Sequence, residues 1–285
     1  LSPAASAPRR LIFHIGDHKT GSTAIQYAFA RALQTRGKRV CMHWHPHHSK
    51  SSHNGFELDR VFQVQLSDTI PLVSQSLLGR WQAWRLRKTA RTREVHELQF
   101  QAHFLETQAG YLDGYWQTEQ YFESIRDKIC ADFEFKPLMG PKNLELQQQL
   151  TQSENCSIHI RRGDYVGHPE LGGICDKAYY NNALKELDAR HPHCPLVVFS
   201  DDIEFSKDLL QGRTRVQFCD WNRGSDSSMD MALMCNCTHH IIANSSFSWW
   251  GAWMAKSGGL TLAPKVWSSR FKLQTDICPN NWQLV

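Results

Sequence analysis

The sequence predicts an α/β protein with two domains, each a parallel sheet covered by helices. Short apolar runs alternate with helical patterns through the second half of the chain, and the first half opens with a strand, a turn and a helix. The length of 285 residues exceeds the roughly 150 of an average domain. We expect the boundary in the Gln-rich stretch 147–154, which gives an N-terminal domain over 1–150 and a C-terminal domain over 151–285.

The chain opens with a βαβ pattern. The apolar segment RLIFHIG, residues 10–16, predicts a buried strand, and AIQYAFARALQTRG predicts a helix that ends at Gly37. KRVCMHW predicts the next strand. The turn between the first strand and the helix combines a cation, hydroxyls and backbone N–H groups, as a phosphate site would. An ordinary turn is the alternative for these residues, which are Lys19, Gly21, Ser22 and Thr23.

The next hundred residues are less regular. Five histidines surround Pro46 in a Ser-rich stretch without fixed geometry for a metal, so we expect no metal there. Residues 74–100 predict a basic helix. Such a run is typical of a solvated face, and contact with an acidic glycan or an anionic lipid surface at the membrane periphery is the alternative. Its cations are Arg80, Arg85, Arg87, Lys88, Arg91 and Arg93.

The second half predicts a doubly wound sheet with strands CSIHI, PLVVFS, THHIIAN and LTLAP. Ligands of such sheets bind beyond the carboxyl ends of the strands, where three polar clusters stand. The first, HIRRGDY, contains arginines suited to bidentate phosphate binding, with an internal ion-pair network as the alternative. Its candidates are His159, Arg161, Arg162 and Asp164.

The other two clusters precede helices. In FSDDIE, Asp201 or Asp202 predicts a helix cap, with contacts to a ribose or base as one alternative and a D-x-E metal triplet ending at Glu204 as another. In IIANSSFSWWGAW, Ser245, Ser246 and Ser248 stand before an apolar helix whose N–H groups suit an anion such as pyrophosphate. An ordinary serine cap with a tryptophan core is the alternative there.

Composition limits the class of function. A net charge of +4 is too balanced to predict nucleic-acid binding, and no apolar run reaches the roughly 20 residues of a membrane span. The nine cysteines are scattered without a C-x-x-C pair, which predicts reduced thiols and a cytoplasmic, soluble chain. Sequons occur at Asn155, Asn236 and Asn244, and we expect them to be accidental.

Five segments carry a family resemblance. GYWQTEQYF at 114–122, HIRRGDYV, FSDDIE, DMALMCNCTHHIIANSSFSWWGAW and LAPKVW…DICPNNW follow the order seen in glycosyltransferase family 11, the α-1,2-fucosyltransferases. The chain resembles this family from about residue 25 onwards, least over about 45–110. The resemblance implies a GT-B-like fold of two Rossmann-like domains facing across a cleft. It also implies inverting, metal-independent transfer of L-fucose from GDP-fucose to the 2-hydroxyl of a terminal β-galactoside, without a cofactor.

The resemblance also implies residue roles. The first arginine of the family's HxRRxD motif matches Arg161, which would stabilise the negative charge left on the β-phosphate, with Asp164 fixing the arginines. His159 and Asp202 would lie toward the guanosine. Arg162 and the segment Ser245, Ser246, Phe247 and Ser248 would complete the donor site, and the N-terminal domain would hold the galactose-terminated glycan.

One segment departs from the family. Members usually carry a Gly-rich G-G-L-G-N-Q loop near the start, whereas this chain has HKTGSTAIQY. That stretch resembles the phosphosulfate loop of PAPS-dependent sulfotransferases. A sulfotransferase and a non-catalytic remnant of a fucosyltransferase therefore remain the alternative functions.

Overall fold

The computed structural model describes residues 10–15, 20–44, 57–66, 69–73, 76–94, 98–108, 110–271 and 275–285. The chain divides into two compact units, Leu1–Lys136 and Pro137–Val285. Both units are α/β, and every strand pairing in their two sheets is parallel.

The first unit contains a four-stranded sheet of order β2-β1-β4-β3. Helix α1 buries most of its residues in this unit, and the ring of Phe29 on this helix packs against the rings of Trp116 and Tyr121. The strands are β1 (Arg10–Ile15), β2 (Arg39–Trp44), β3 (Arg91–Arg93) and β4 (Gly110–Asp113). The helices are α1 (Thr20–Thr35), α2 (Leu58–Val61), α3 (Leu77–Thr89) and α4 (Arg126–Asp132), with short 3₁₀ turns at Ala102–Glu106, Glu119–Tyr121 and Glu123–Ile125.

Two helix predictions in this unit need correction. Helix α1 begins at Thr20, so Gly21, Ser22 and Thr23 form its first turn rather than a loop before it, while Lys19 lies outside the described residues. The basic helix predicted over 74–100 ends at Thr89. The chain then becomes strand β3, because residues 91–93 pair with β4 and the Arg91 guanidinium binds the Asp113 carboxylate. Gly37 ends α1 as predicted, with φ of 76°.

The second unit contains a six-stranded sheet of order β10-β9-β8-β5-β6-β7. Counted from β5, this is the strand order of a classic dinucleotide-binding fold, and it reverses between β5 and β8. The strands are β5 (Cys156–Ile160), β6 (Leu196–Ser200), β7 (Val216–Cys219), β8 (His239–Ile241), β9 (Thr261–Ala263) and β10 (Gln283–Leu284). The helices are α5 (Pro141–Gln152), α6 (Lys177–Arg190), α7 (Ile203–Leu209), α8 (Ser228–Met234) and α9 (Ser246–Trp253), with a 3₁₀ turn at Gly224–Ser227.

The division between the units lies before helix α5, whereas the sequence places it near residue 150. Leu146 and Leu150 on α5 are buried against Val197 and Phe199 of the second sheet, together with Leu233 of α8. Helix α5 therefore belongs to the core of the second unit. Its polar Gln-rich face misleads a boundary estimate based on composition, since only its buried positions reveal the packing.

The cysteines and two of the three sequons are as the sequence predicts. All nine cysteines are free, and seven of them are buried. The sequon residues Asn155 and Asn244 are buried too, with exposed fractions of 3% and 1%. No helix in the described part of the chain combines the length and apolar character needed to cross a bilayer.

Candidate functional site at the carboxyl edge of the second sheet

The candidate site lies where strand order reverses. Strand β5 ends at Ile160 and β8 at Ile241, and these two neighbouring strands run in parallel, so their following loops leave the same edge of the sheet. Connections on either side of such a reversal lead away in opposite directions and leave a crevice for a ligand. Two of the three polar clusters predicted from the sequence follow these strands, and FSDDIE follows the adjacent strand β6.

Arg161 stands at the end of β5 between two carboxylates. Its Nη2 lies 2.6 Å from Asp164 Oδ1 and its Nη1 lies 2.9 Å from Asp201 Oδ2. The side chain is 27% exposed, so it is neither buried under the sheet nor free in solvent. A Cβ at Gly163 would lie 2.9 Å from Asp201 Oδ2, so a side chain at this position would displace the carboxylate that binds Arg161. The structure thus holds this guanidinium in place at the sheet edge.

Arg162 points to a different partner. Its Nε donates to Asp202 Oδ2 at 3.0 Å, and its guanidinium lies 3.9 Å from the centre of the Phe205 ring. Asp202 also caps helix α7, because its Oδ1 accepts the Phe205 N–H at 3.0 Å. This backbone hydrogen bond, together with Arg162, lowers the pKa of Asp202. The predicted cap is confirmed, and Arg162 and Asp202 form a pair that positions the α7 end of the edge.

His159 is a buried neutral group beside the arginines. It is 6% exposed, and burial together with the nearby Arg161 charge lowers its pKa to about 4. Its ring centre lies 5.6 Å from that of Phe247 on α9. Its Nδ1 has no hydrogen-bond partner among the described residues. A buried polar atom of this kind costs free energy unless a water or a ligand completes it.

The N-terminus of α9 completes the edge on the β8 side. Ser245 caps the helix, with its Oγ accepting the Phe247 N–H at 3.4 Å, and Ser246 and Phe247 are half-buried in the first turn. Ser248 is fully buried, and its hydroxyl donates to the Ser245 carbonyl at 3.3 Å. Ser248 is therefore not among the groups presented at this edge. The tryptophans 249, 250 and 253 lie in the core, as predicted.

Sequence reasoning missed one carboxyl group near this edge. Asp230 on α8 accepts a hydrogen bond from Asn222 Nδ2 at 2.8 Å and contacts Cys219 Sγ, at the end of β7, at 3.2 Å. Burial raises the pKa of Asp230 to about 7. Its place in the DMALMCNC segment gave no signal beyond an ordinary acidic residue at a helix start.

The carboxyl edge of the first sheet is organised differently. After β4, the backbone N–H groups of Tyr115 and Trp116 both donate to Glu94 Oε2, at 2.7 and 2.9 Å. Glu94 is 8% exposed, and a Cβ at Gly114 would lie only 2.6 Å from its Cβ. Gln26 Nε2 donates to the Gly114 carbonyl at 2.7 Å. The chain's own carboxylate therefore occupies the N–H groups at this edge.

A second carboxylate stands at the first turn of α1. Thr20 Oγ1 donates to Glu57 Oε2, and both residues are buried. A carboxylate next to a helix N-terminus is favourable for the helix, but it repels an incoming phosphate. This arrangement counts against the phosphosulfate interpretation of Gly21, Ser22 and Thr23.

One group of side chains in the described residues has the spacing of metal ligands. Glu154, His191 and His239 lie at the amino edge of the second sheet, with Glu154 Oε1 2.8 Å from His191 Nδ1 and 2.9 Å from His239 Nε2. The Leu260 N–H donates to His239 Nδ1 at 2.9 Å, so the proton of this neutral ring lies on Nε2 and faces Glu154. A metal at Nε2 would have to displace that proton. In FSDDIE, Asp201 and Asp202 bind arginines and Glu204 binds Lys207, so these three carboxylates serve separate partners.

The fold and the site define an α/β protein whose second unit has dinucleotide-type strand order and a cation-bearing edge at the reversal point. Sequence comparison gives the family. The profile of glycosyl transferase family 11 matches residues 88–285, and the chain belongs to that family.

Two curated relatives illustrate the range of the family. The alpha-1,2-colitosyltransferase of Escherichia coli is 37% identical over 183 residues, covering 59% of this chain and 60% of its own length. A galactoside 2-alpha-L-fucosyltransferase of Bos taurus is 34% identical over 173 residues, covering 57% of this chain and 47% of its own length. The chain thus spans about three fifths of the colitosyltransferase and about half of the fucosyltransferase.

Solved structures give the fold. The alpha-1,6-fucosyltransferase NodZ, in crystals soaked with GDP-fucose, matches 87% of this chain and 93% of its own with a TM-score of 0.51 at 12% identity. The selenomethionine form of NodZ from Bradyrhizobium matches 87% and 92%, also with a TM-score of 0.51 at 12% identity. At this identity the likeness concerns the fold alone, and it confirms the predicted α/β, GT-B-like class.

Proposed function

We propose that the chain is a glycosyltransferase that moves L-fucose from GDP-fucose to the 2-hydroxyl of a terminal β-galactoside, with inversion and without a metal. Family membership and the named activities of its relatives support this proposal at the level of sugar transfer. The observation that carries the mechanism is the Arg161 guanidinium at the reversal point of the second sheet.

Arg161 has the donors that a departing diphosphate needs. Its ion pairs with Asp164 and Asp201 engage one N–H on each terminal nitrogen, and a guanidinium carries five N–H donors. The remaining donors suit bidentate binding of a phosphate. Breaking the bond between fucose and the diphosphate leaves negative charge on the β-phosphate, and a cation already held in position stabilises that charge without reorganisation.

Neighbouring groups would hold the rest of the donor. The positive end of the α9 dipole favours the pyrophosphate. The unpartnered Nδ1 of His159 is a hydrogen-bond acceptor or donor for the guanine base or the ribose. Asp164, already paired with Arg161, would position that guanidinium rather than take the acceptor proton.

The first unit would serve the acceptor. Its carboxyl edge holds Glu94 against backbone N–H groups, and Glu57 stands at the start of α1, so the ionised groups described next to these N–H groups are carboxylates. A neutral galactoside is compatible with carboxylates and hydrogen-bonds to them, whereas an adenosine phosphosulfate would be repelled. No described contact favours the sulfotransferase alternative.

The decisive experiment supplies lactose with, in turn, a panel of GDP- and UDP-sugars and PAPS, and reads the product mass. A fucose increment is expected with GDP-fucose. Colitose is fucose without one hydroxyl oxygen, so mass also separates transfer of the two sugars. A sulfate increment would overturn the proposal in favour of sulfate transfer, and no product with any donor, in a chain shown to be folded, would favour the non-catalytic remnant.

A further inference from the structure

Helix α3 exposes its large apolar side chains instead of burying them. Leu77, Leu78, Trp81 and Trp84 have exposed fractions of 86%, 64%, 51% and 57%. Two of the chain's ten tryptophans therefore stand in solvent on one short helix. A helix on the surface of a globular protein normally turns such residues inward, so a contiguous exposed group of this kind marks an interaction surface.

The inward side of α3 is small. Gly79 and Ala83 are its buried residues, and Leu86 is partly buried against the core cluster around Tyr111. At 100° per residue, Leu77, Trp81 and Trp84 lie on the face opposite Gly79 and Ala83. Leu78 is exposed beside this face, and we call the four residues together the α3 stripe (Leu77, Leu78, Trp81 and Trp84).

Basic residues border the α3 stripe. Arg80 and Arg87 lie along one side, and Arg85 lies between Trp81 and Leu78 in the helical projection, with its guanidinium 5.5 Å from the Trp81 ring. Lys88 follows at the C-terminal end. All four are exposed, and residues 76–93 contain no acidic residue. Arg91 and Arg93 differ from these four, because both bind the Asp113 carboxylate.

We propose that α3 is an interfacial helix that lies on an anionic lipid surface, with the α3 stripe among the acyl chains and the four cations at the headgroups. Tryptophan and leucine on one face, with arginine and lysine beside them, is the composition of helices that lie in a bilayer interface. Long basic side chains extend from such a face to reach phosphate groups while their methylenes stay in apolar surroundings.

Other occupants fit the surface less well. An acidic glycan would bind the cations but leave Leu77 and Leu78 in water. A second copy of this chain, bound through the same face, would bring two sets of four cations together, and they would repel each other. An anionic lipid surface satisfies both the apolar stripe and the charges.

The test is sedimentation of the whole chain with vesicles of phosphatidylcholine alone or of equal parts phosphatidylcholine and phosphatidylglycerol. Binding is expected to the anionic vesicles and to weaken with salt. R80Q/R87Q should weaken binding by on the order of 30-fold, because each cation near an anionic surface adds to the attraction. The matched control K185Q/K256Q removes two exposed lysines of the second unit and should bind like wild type.

A second measurement locates the stripe. Lipids brominated in the acyl chain should quench part of the tryptophan fluorescence of the wild type, and W81F/W84F should lose that quenching while still sedimenting. L77S/L78S should bind more weakly than the control M139S/L144S, which changes two exposed apolar residues of the second unit. Absence of binding to anionic vesicles, equal losses in variants and controls, or quenching that survives in W81F/W84F would overturn the proposal. So would a concentration-dependent dimer abolished by L77S/L78S.

Discussion

The two sheets are both parallel, but they differ in strand order and in what stands at their carboxyl edges. The first has the order β2-β1-β4-β3, whereas the second has the order β10-β9-β8-β5-β6-β7, which reverses between β5 and β8. In the first unit, Glu94 accepts the N–H groups of Tyr115 and Trp116. In the second, the carboxylates Asp164 and Asp201 hold a guanidinium at the edge instead.

Two parallel sheets can therefore have different carboxyl edges. We call the edge of the first sheet closed, because its N–H groups are bound by Glu94, and that of the second open, because donors remain for a ligand. A backbone N–H bound by an internal carboxylate has no capacity left for a ligand anion. A guanidinium paired on one side retains donors on the other. The same residue type, a carboxylate, therefore blocks anion binding in the first unit and prepares it in the second.

The largest expected effect comes from Arg161→Ala, which should reduce transfer about 10²–10³-fold, because it removes the cation that stabilises the leaving diphosphate. Arg213→Ala is the matched control, since Arg213 is 31% exposed and pairs with Asp188 but precedes β7, at the opposite edge. Steady-state rates and circular dichroism check both variants. Equal rates for Arg161→Ala and wild type would show that the edge at β5 does not act on the leaving group.

Nucleotide binding tests which of the two carboxyl edges binds an anion. GDP should raise the thermal midpoint, with a gain of about 2.7 kcal/mol at a concentration 100 times its Kd, whereas adenosine 3′,5′-bisphosphate should leave it unchanged. The reason is that anions find donors at the second edge and carboxylates at the first. Thermal-shift titration measures both ligands, and stabilisation by the adenosine compound alone would place the anion site in the first unit.

Asp230 gives a pH test of the second unit. Its carboxyl ionises near 3.8 in the unfolded chain and near 7 in the folded one. Between these values the unfolded state binds fewer protons, so the free energy of unfolding should fall as pH rises from about 4 to about 7, by at most about 4 kcal/mol. Asp230→Asn should remove that fall, and the exposed Asp226→Asn should keep it. Urea unfolding at several pH values measures the difference, and identical pH profiles for wild type and Asp230→Asn would contradict the burial argument.

The smallest effect concerns the closed edge. Gly114→Ala should destabilise the first unit by about 1–2 kcal/mol, because the added methyl overlaps Glu94 and displaces its carboxylate. Gly258→Ala is the control, since nothing lies within 4 Å of a Cβ at that position. Chemical denaturation compares the two variants. Equal stability would mean that Glu94 is not held as tightly as its two hydrogen bonds indicate.

Local patterns predicted the second unit well. The runs CSIHI and LVVFS are strands as predicted, and Asp202 and Ser245 cap helices, because strands and caps depend on neighbouring residues. Apolar alternation does not show which face a polar helix turns to the core, so composition alone predicts a domain boundary where α5 lies. The start of α1 was set too late, since KTGST has the composition of a turn yet its last four residues are helical.

Buried polar groups could not be read from the sequence. Glu94 and Glu57 look like ordinary surface acids, and their burial results from contacts between residues far apart in the chain. The site residues His159, Arg161 and Arg162 were found because they follow a strand, but their partners among the aspartates depend on the neighbouring strand β6. Arg161 pairs with both Asp164 and Asp201, of which only the local partner was foreseen.

Each unit contains buried cysteine thiols, so the reactivity of those thiols reports when that unit unfolds. Cys41 is buried in the first unit, and Cys156 and Cys237 are buried in the second, where burial raises the pKa of both thiols. A thiol reagent reacts with such a group when local or global unfolding exposes it, so capture rates time the opening of the structure. Peptide mapping of the modified cysteines therefore measures local unfolding of each unit separately, without any engineered label.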